Sequence, residues 1–207
     1  MISVLIVDDH KLIRESLATM LTENPGLTII GEAKSGEQAI SMLQSMTPDI
    51  ILIDINMRPM DGIETTRVIH SILPSAKIIG LTMHCQPAYA KLLISTGALG
   101  YVTKNSPKEE LIEAIICVAS GKRYVSRDIK DKIATSVFTN RPADGIDQLT
   151  VSELKIAKLV REGLSSMEIA KKLDIAKKTV EVHRYNMLKK LKIKNRAAFV
   201  NWLSLQP

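Results

Sequence analysis

Ile50-Ile51-Leu52-Ile53-Asp54 is the stretch of sequence that decides the fold. Four consecutive branched apolar residues, set between Pro48-Asp49 and the turn-forming Pro59-Met60-Asp61-Gly62, predict a strand that is buried on both faces. Such a strand belongs in the middle of a parallel sheet, and it places the Asp54 carboxylate at its C-terminal end. Open α/β sheets bind their ligands outside that end of the strands. We therefore expect the functional site beside Asp54.

Short apolar strands alternate with amphipathic helices five times between residue 1 and about residue 121. The predicted strands cover residues 3–7, 27–30, 50–53, 77–81 and 99–102. The predicted helices cover about 11–23, about 36–46, a segment after Gly62, about 87–96, and a segment that Ser106 and Glu109 open as a capping box and Gly121 ends. This alternation predicts an α/β fold with a flavodoxin-like, doubly wound sheet of five parallel strands.

The surplus of positive charge is confined to the last third of the chain. Residues 146–207 carry 13 Lys and Arg against 6 Asp and Glu, a net of +7, and residues 1–145 carry 15 against 16, a net of −1. A separate basic module points to an anionic partner, nucleic acid first, although a solvated basic surface would carry the same charge. We divide the chain into a first domain over 1–121, a linker over 122–146 that has room for a short helix over 126–138, and a second domain over 147–207.

Composition excludes several other classes of protein. The two cysteines, Cys85 and Cys117, lie in no C-x-x-C pattern, so a secreted disulfide framework is not indicated. The N-terminus leads directly into a strand and has no basic leader, and no apolar run approaches the roughly 18 residues of a membrane span. We expect a cytoplasmic protein that has no membrane contact.

Four helical segments and no strand are predicted after residue 146. They start at Thr150-Val151-Ser152-Glu153 (a capping box), at Ser165-Ser166-Met167-Glu168 (a second box), at residue 177 and at Asn195, and they end near Arg161, Leu173, Leu191 and Leu205. The second and third are joined by the three residues 174–176, and the third is basic. This pattern fits a small all-α helix-turn-helix domain, although an ordinary helical bundle would have similar spacing.

The helix predicted over 177–191 has two different faces. At 100° per residue, Val180, Met187, Leu188 and Leu191 share one arc, which should pack on the domain core. The opposite arc carries Lys178, Glu181, Val182, Tyr185 and Lys189. An apolar valine beside a tyrosine and two lysines suits the DNA major groove, where thymine methyl groups, guanines and phosphates are within reach. We expect this face to bind double-stranded DNA.

Asp8 and Asp9 follow the first predicted strand, and Thr82 and Lys104 follow two others, so all four should meet Asp54 at one sheet edge. Three close carboxylates require a cation, and oxygen ligands suit Mg²⁺. With the metal bound, a carboxylate oxygen can attack a phosphoryl group, whose oxygens Thr82 and Lys104 would bind. The alternative, that Asp8 or Asp9 caps the next helix, explains one acid and not two.

The motifs of both domains resemble one known family. The first domain resembles the receiver domain of bacterial two-component response regulators at Asp8-Asp9-His10, Asp54, Met57, Met60-Asp61-Gly62, Glu64, Leu81-Thr82-Met83-His84 and residues 100–106. The second resembles the LuxR-type helix-turn-helix at Leu149-Thr150, Glu153, residues 162–165, Glu168-Ile169-Ala170, Lys178-Thr179-Val180, His183-Arg184 and residues 188–191. The order of the two is similar to that of the NarL/FixJ subfamily of transcription factors.

The resemblance implies a DNA-binding transcription regulator that phosphorylation controls, and not an enzyme. Asp54 would accept the phosphoryl group from a sensor histidine kinase, and Asp8, Asp9, Asp54 and the backbone carbonyl of Asn56 would bind Mg²⁺. Thr82 and Lys104 would sense the phosphoryl group, and activation would produce a homodimer. Tyr101 would change orientation on activation, unless it is only a half-buried tyrosine on an edge strand.

Two other functions fit part of the sequence. An aspartyl-phosphate phosphatase on a similar sheet would carry D-x-D on its first strand, whereas Asp8 and Asp9 are adjacent and a DNA-binding module follows. A regulator that binds DNA without phosphate would have no use for the complete set of acids, Thr82 and Lys104. Phosphate uptake distinguishes these functions.

Overall fold

The structure, a computed structural model, describes residues 1–83, 87–139, 149 and 151–204. The side chains of residues 88, 135–139, 151, 196 and 204 are not described. His84, Thr150, Leu205 and residues 140–146 of the predicted linker therefore lie outside the described part. The described residues fall into two compact units, one formed by residues 1–83 and 90–131 and the other by residues 87–89 and 132–204.

A parallel sheet forms the centre of the first unit. Its strand order is β2-β1-β3-β4-β5-β6, and each neighbouring pair is parallel. The strands are β1 (Ile2–Val7), β2 (Leu27–Ala33), β3 (Ile50–Asp54), β4 (Ile78–Thr82), β5 (Gly100–Thr103) and β6 (Tyr124–Val125). The doubly wound parallel fold predicted from the alternating pattern is confirmed, and β3 lies between β1 and β4 as its apolar run requires.

The sixth strand, β6, was not among the five predicted strands. Tyr124 pairs with Gly100 and Val125 with Tyr101, and the N–H of Ser126 donates to the carbonyl of Tyr101 at 2.9 Å. A segment of two residues has no periodicity by which a sequence pattern could reveal it. Because of β6, strand β5 is paired on both sides.

Helices α1 to α5 connect successive strands. They are α1 (Lys11–Thr22), α2 (Gly36–Met42), α3 (Gly62–Ile72), α4 (Pro87–Ser95) and α5 (Lys108–Ala119). A further helix, α6 (Arg127–Thr139), follows β6 and occupies the predicted short helix of the linker. Helix α2 ends four residues before the predicted limit. The predicted capping box at Ser106 is wrong, because Pro107 is the N-cap of α5 and the Ser106 hydroxyl lies 3.1 Å from that of Thr103.

The central strands are buried on both faces. Val4, Ile6, Leu52 and Val102 pack with apolar residues of α1 and α5 in one core cluster. The alternate positions of the same strands are buried as well, and at Gly80 a Cβ atom would overlap Leu93 of α4. Helices on both faces hold the C-terminal ends of the strands at one edge, where Asp54 and Lys104 follow in sequence.

The second unit is helical over its described residues. Its helices after α6 are α7 (Val151–Arg161), α8 (Ser166–Leu173), α9 (Lys177–Lys190) and α10 (Arg196–Ser204), and they surround a core that includes Leu154, Ile169, Val180, Met187 and Phe199. The capping box at Ser165 and Glu168 is present, with both of its hydrogen bonds. No helix among the described residues is long and apolar enough to span a bilayer.

Candidate functional site

Asp54 is the last residue of β3, and this residue is only 2% exposed. Its Oδ1 atom accepts a hydrogen bond of 3.1 Å from the backbone N–H of Asn56. The turn that follows closes tightly, since the N–H of Gly62 donates to the carbonyl of Ile55 at 3.1 Å. A Cβ atom at Gly62 would overlap the carbonyl oxygen of Asp54, so only glycine fits there. The turn thus fixes the end of the strand that carries the carboxylate.

Two further carboxylates meet Asp54 from the end of β1. Asp8 is buried, and its Oδ1 accepts a hydrogen bond of 2.8 Å from the N–H of His10, whereas Asp9 is half-buried. Asp8, Asp9, His10 and Asp54 each offer one ligand atom, and these atoms lie within 4.8 Å of one another. The parallel register of β1 and β3, in which Val7 pairs with Ile53, produces this arrangement. The sequence prediction that the three acids converge is therefore confirmed.

Lys104 supplies the positive charge of the cluster. Its Nζ atom lies 2.7 Å from Oδ2 of Asp8 and 3.0 Å from Oδ2 of Asp54, so one ammonium group bridges two carboxylates. The backbone N–H of Lys104 donates to the carbonyl of Thr82 at 2.7 Å. This hydrogen bond joins the C-terminal ends of β4 and β5 at the site.

The environment of Asp54 disfavours its negative charge. Burial raises the pKa of the Asp54 carboxyl above the ordinary value, and repulsion by Asp8 adds to that increase. Attraction by Lys104 and the hydrogen bond from Asn56 lower the pKa without cancelling the effect of burial. One ammonium group therefore leaves negative charge at the cluster uncompensated, and a bound cation would stabilise it.

The donor set suits a hard divalent cation. Carboxylate oxygens of Asp8, Asp9 and Asp54 are the ligands that Mg²⁺ prefers, and they leave coordination positions for water. His10 is the only nitrogen donor of the cluster, and its Nδ1 lies 2.8 Å from Oδ1 of Asp9 and 3.3 Å from Oδ1 of Asp8. The residues therefore fit Mg²⁺ better than a metal that requires nitrogen or sulfur ligands.

Thr82 and Tyr101, the remaining predicted switch residues, are both fully buried. Thr82 ends β4 and pairs with Thr103 in the sheet register. Tyr101 lies within β5, which is paired with β6, so the alternative of a half-buried tyrosine on an edge strand is wrong. A change in the orientation of Tyr101 remains a prediction.

Two residues of the site have contacts that the sequence pattern did not reveal. The Arg14 guanidinium donates to the backbone carbonyl of Asp8 at 2.7 Å and lies 3.5 Å from Glu32. His10, which entered only as part of the Asp-Asp-His motif, contacts both neighbouring acids. Arg14 lies one helical turn after His10 and faces the loop that carries Asp8 and Asp9. A helical wheel shows which residues share a face of α1, but it does not show that this face meets the acids.

The predicted DNA-facing arc of α9 is accessible in the structure. Val182 is 51% exposed and Tyr185 is 65% exposed, which is unusual for side chains with this much apolar surface. Lys178 and Lys189 are exposed too, and Glu181 lies 3.8 Å from Lys177. On the opposite arc, Val180 and Met187 are completely buried. The division of α9 into a core face and an open face is confirmed, and DNA contact by the open face remains a prediction.

Comparison with protein families identifies both units. Residues 4–116 match the model of the response regulator receiver domain, and residues 147–203 match that of bacterial regulatory proteins of the luxR family. Together these matches cover most of the chain. The site described above lies within the first match, and α9 lies within the second.

Two curated relatives align with the chain over nearly their whole length. The chain is 34% identical to the nitrate/nitrite response regulator NarL of Escherichia coli K12 over 203 residues, which are 97% of this chain and 94% of NarL. It is 34% identical to the response regulator GacA of Pseudomonas aeruginosa over 194 residues, or 93% and 91% of the two chains.

A solved structure of similar fold is that of RcsB from Salmonella enterica serovar Typhimurium, bound to the promoter P1flhDC in the presence of the phosphomimetic BeF₃⁻. Its TM-score is 0.77 at 25% identity, with 98% of each chain covered. The family of this chain follows from the two model matches and the full-length relatives together. The chain belongs to the NarL/FixJ-type response regulators, and it is a phosphorylation-controlled transcription regulator in which a receiver domain precedes a LuxR-type DNA-binding domain.

Proposed function

We propose that Asp54 is the phospho-acceptor and that a sensor histidine kinase is its donor. The observation that carries this proposal is the buried Asp54 carboxylate, held between two other acids and the Lys104 ammonium. An Asp54 oxygen attacks the phosphorus atom of a phosphohistidine and forms a new O–P bond. The P–N bond breaks, and its electron pair stays on the imidazole nitrogen of the donor. The acyl phosphate stores the signal, so the chain acts as a switch and not as an enzyme that turns over a metabolite.

The residues around Asp54 divide the work of this transfer. Asp8, Asp9, Asp54 and the backbone carbonyl of Asn56 would hold Mg²⁺, which offsets the charge of the phosphoryl oxygens when it is bound. The Nζ atom of Lys104 lies 3.0 Å from Oδ2 of the acceptor, so a phosphoryl group on Asp54 would be within its reach. The ammonium would then exchange its contacts with the carboxylates for a phosphoryl oxygen. The Thr82 hydroxyl would donate to another phosphoryl oxygen from the end of the adjacent strand.

Phosphoryl uptake tests the assignment of Asp54. With Mg²⁺ and acetyl phosphate, the wild-type protein should gain one acid-labile phosphoryl group, and Asp54→Asn should gain none. Asp131→Asn, the same change at an exposed position of α6, should be labelled like the wild type. Equal labelling of Asp54→Asn and the wild type would refute the proposal.

The role of Asp9 in metal binding has a separate test. Loss of one carboxylate ligand lowers the affinity for Mg²⁺, so Asp9→Ala should need more Mg²⁺ for half-maximal uptake. An unchanged Mg²⁺ dependence would show that Asp9 is not a ligand.

We further propose that phosphorylation favours a homodimer that binds double-stranded DNA through the open face of α9. The residues that would contact the DNA are Lys178, Glu181, Val182, Tyr185 and Lys189. The exposure of apolar and cationic side chains together on this face supports the proposal. A two-fold dimer requires an inverted repeat with half-sites near one helical turn apart. DNase footprinting should show both half-sites protected only after phosphorylation. Protection of one asymmetric half-site, independent of phosphorylation, would contradict the dimer.

Such a regulator would act in the cytoplasm, where it has access to DNA. The domain limits 1–121, 122–146 and 147–207 also remain part of the proposal. The family models leave residues 117–146 unassigned.

A further inference from the structure

Three hydroxyl and carboxylate groups form a chain beside Lys104. The Thr103 hydroxyl donates to Oδ2 of Asp128 at 3.1 Å, and it lies 3.1 Å from the hydroxyl of Ser106. A carboxylate can only accept, and a threonine hydroxyl has one proton, so this proton belongs to the bond with Asp128. Ser106 must then donate to Thr103. The direction of the chain is therefore Ser106 to Thr103 to Asp128.

Asp128 is held in place by contacts of its own segment. Its Oδ1 accepts from the Ser126 hydroxyl at 2.6 Å and from the N–H of Ile129 at 2.9 Å. The neighbouring N–H of Arg127 donates to the buried Glu110 of α5 at 2.7 Å. Together with the pairing of β6 with β5, these bonds fix the start of α6 on the receiver.

The hydroxyl chain encloses the residue that bridges the acids. Thr103 and Ser106 are the first and last residues of the turn after β5, and Lys104 lies between them. The N–H of Ser106 also donates to the carbonyl of Thr103 at 3.0 Å, which closes the turn. The position of the Lys104 ammonium therefore depends on a turn whose two ends are connected to Asp128.

We propose that Asp128 is a positioning residue for the phosphoryl site, because through Thr103 and Ser106 it holds the turn that carries Lys104. This inference rests on the proposed role of Lys104 as the cation that binds the phosphoryl group. Asp128 lies outside the residues that match the receiver family, which end at residue 116. The carboxylate that holds the Lys104 turn is therefore supplied by the segment that follows the receiver match.

The same contact couples the start of α6 to the phosphorylation state of Asp54. We expect the movement of Lys104 from the carboxylates to a phosphoryl oxygen to shift the turn, and the turn is bonded to Asp128 through Thr103. Coupling between two sites is reciprocal, so a change at Asp128 should alter phosphorylation, and phosphorylation should alter the first turn of α6. The contacts involved all lie in the first unit.

Two matched pairs of variants test this inference in the full-length chain. Thr103→Val removes the hydroxyl at nearly constant volume, and Thr103→Ser retains it. Asp128→Asn removes the charge of the acceptor, and Asp131→Asn makes the same change on an exposed side chain in the same helix. Circular dichroism establishes that each variant is folded, and the Asp128 pair leaves the sheet untouched if Thr103→Val does not fold.

The first readout is the rate of phosphoryl uptake from acetyl phosphate and the lifetime of the phosphoryl group. We expect Thr103→Val and Asp128→Asn to reduce the uptake rate about fivefold, the effect of losing one hydrogen bond that orients Lys104. Thr103→Ser and Asp131→Asn should match the wild type. The second readout is hydrogen exchange of the Ser106 and Ile129 amides, which should change on phosphorylation in the wild type and not in Thr103→Val.

The inference and the proposed function fail in different ways. If Asp54→Asn is labelled like the wild type, the assignment of Asp54 as the phospho-acceptor is overturned, whatever the result for Asp128→Asn. If Asp54→Asn is unlabelled while Thr103→Val and Asp128→Asn keep the wild-type rate, lifetime and exchange, Asp54 stands and the positioning role of Asp128 is overturned. A loss of rate in Asp131→Asn equal to that in Asp128→Asn would also overturn it.

Discussion

The Nζ atom of Lys104 lies 3.0 Å from Oδ2 of Asp54 in the unphosphorylated receiver. The cation that should bind the phosphoryl group is thus bonded to the acceptor before any phosphate arrives. It also lies 2.7 Å from Asp8, which is one of the proposed metal ligands. Lys104 therefore stabilises the carboxylates of Asp8 and Asp54, and it must give up these contacts to bind a phosphoryl group on Asp54.

Removal of the Lys104 ammonium should separate metal binding from phosphoryl transfer. Because Lys104 holds oxygen atoms of two carboxylates and repels a cation, Lys104→Met should bind Mg²⁺ about tenfold more tightly in the unphosphorylated state. Its phosphoryl uptake should decrease at the same time. Titration calorimetry measures the affinity, with Lys122→Met, a change at an exposed lysine, as the control. Weaker Mg²⁺ binding by Lys104→Met would mean that Lys104 organises the acids and does not compete with the metal.

Loss of the Thr82 hydroxyl should uncouple phosphorylation from the response. A ligand shifts an equilibrium only through contacts that differ between two states, and the contact of Thr82 with the phosphoryl group would exist in one of them. Thr82→Ala should accept phosphate and should neither dimerise nor tighten its binding to DNA. Analytical ultracentrifugation before and after phosphorylation measures this, and Thr82→Ser should respond normally. A normal response of Thr82→Ala would show that the signal leaves by another route.

A methyl group at Gly62 should displace the acceptor. The Cβ of alanine would overlap the carbonyl oxygen of Asp54 and the Cα of Ile55, which are backbone atoms and not the ends of flexible side chains. We expect Gly62→Ala to lower the free energy of unfolding by about 1–3 kcal/mol and to slow phosphoryl uptake. Gly121→Ala is a suitable control. A Cβ atom at this position would meet nothing within 4 Å, but the alanine would have to adopt the positive φ of 82° that Gly121 has. It should destabilise the protein and leave the uptake rate unchanged.

The stability of the first unit should decrease above pH 10 through Tyr124. Burial, together with Glu110 and Glu113, raises the pKa of Tyr124 to about 12, whereas the pKa is near 10 in the unfolded chain. The protonated phenol therefore contributes stability that is complete below pH 10 and is lost as the pH rises towards 12. At pH 11 the loss should be about 1.4 kcal/mol.

Urea unfolding of the wild type and Tyr124→Phe between pH 8 and 11 measures this contribution. The free energy of unfolding of the wild type should decrease relative to that of Tyr124→Phe as the pH rises from 8 to 11, because phenylalanine has no proton to lose. Parallel curves over that range would show that Tyr124 titrates normally.

The open face of α9 should separate specificity from general affinity. Lys189→Ala should weaken binding to all sequences alike and reduce the slope of log K against log salt by about one, as for the loss of one phosphate contact. Val182→Ala and Tyr185→Ala should relax the preference at particular base pairs by roughly 1–3 kcal/mol. Fluorescence anisotropy on matched and mismatched duplexes at several salt concentrations measures both. Identical effects of Val182→Ala and Lys189→Ala would refute the division.

Local sequence patterns were sufficient wherever a contact follows from periodicity. The apolar run at Ile50 predicted a central strand because burial on both faces leaves no polar position, and the parallel topology then placed Asp8 next to Asp54. The arcs of α9 followed in the same way from the helical period, and the burial of Val180 and the exposure of Val182 agree with them.

Patterns failed where a side chain has two partners to choose from. Ser106 has the sequence of a capping box, but in the folded chain its hydroxyl bonds Thr103, and Pro107 takes the cap position. The other partner of Thr103 is Asp128, 25 residues away. This pair depends on tertiary structure, and neither residue carries a local sequence pattern that predicts it.

Strand β6 has a consequence for any attempt to study the receiver alone. It covers the free hydrogen-bonding side of β5, and a truncation at Gly121 would remove it together with the start of α6. The uncovered β5 would present unpaired N–H and C=O groups to other molecules, which is the usual origin of strand-to-strand aggregation. A fragment ending after Asp131 would keep this side of the sheet closed and should stay monodisperse at concentrations where the shorter fragment precipitates.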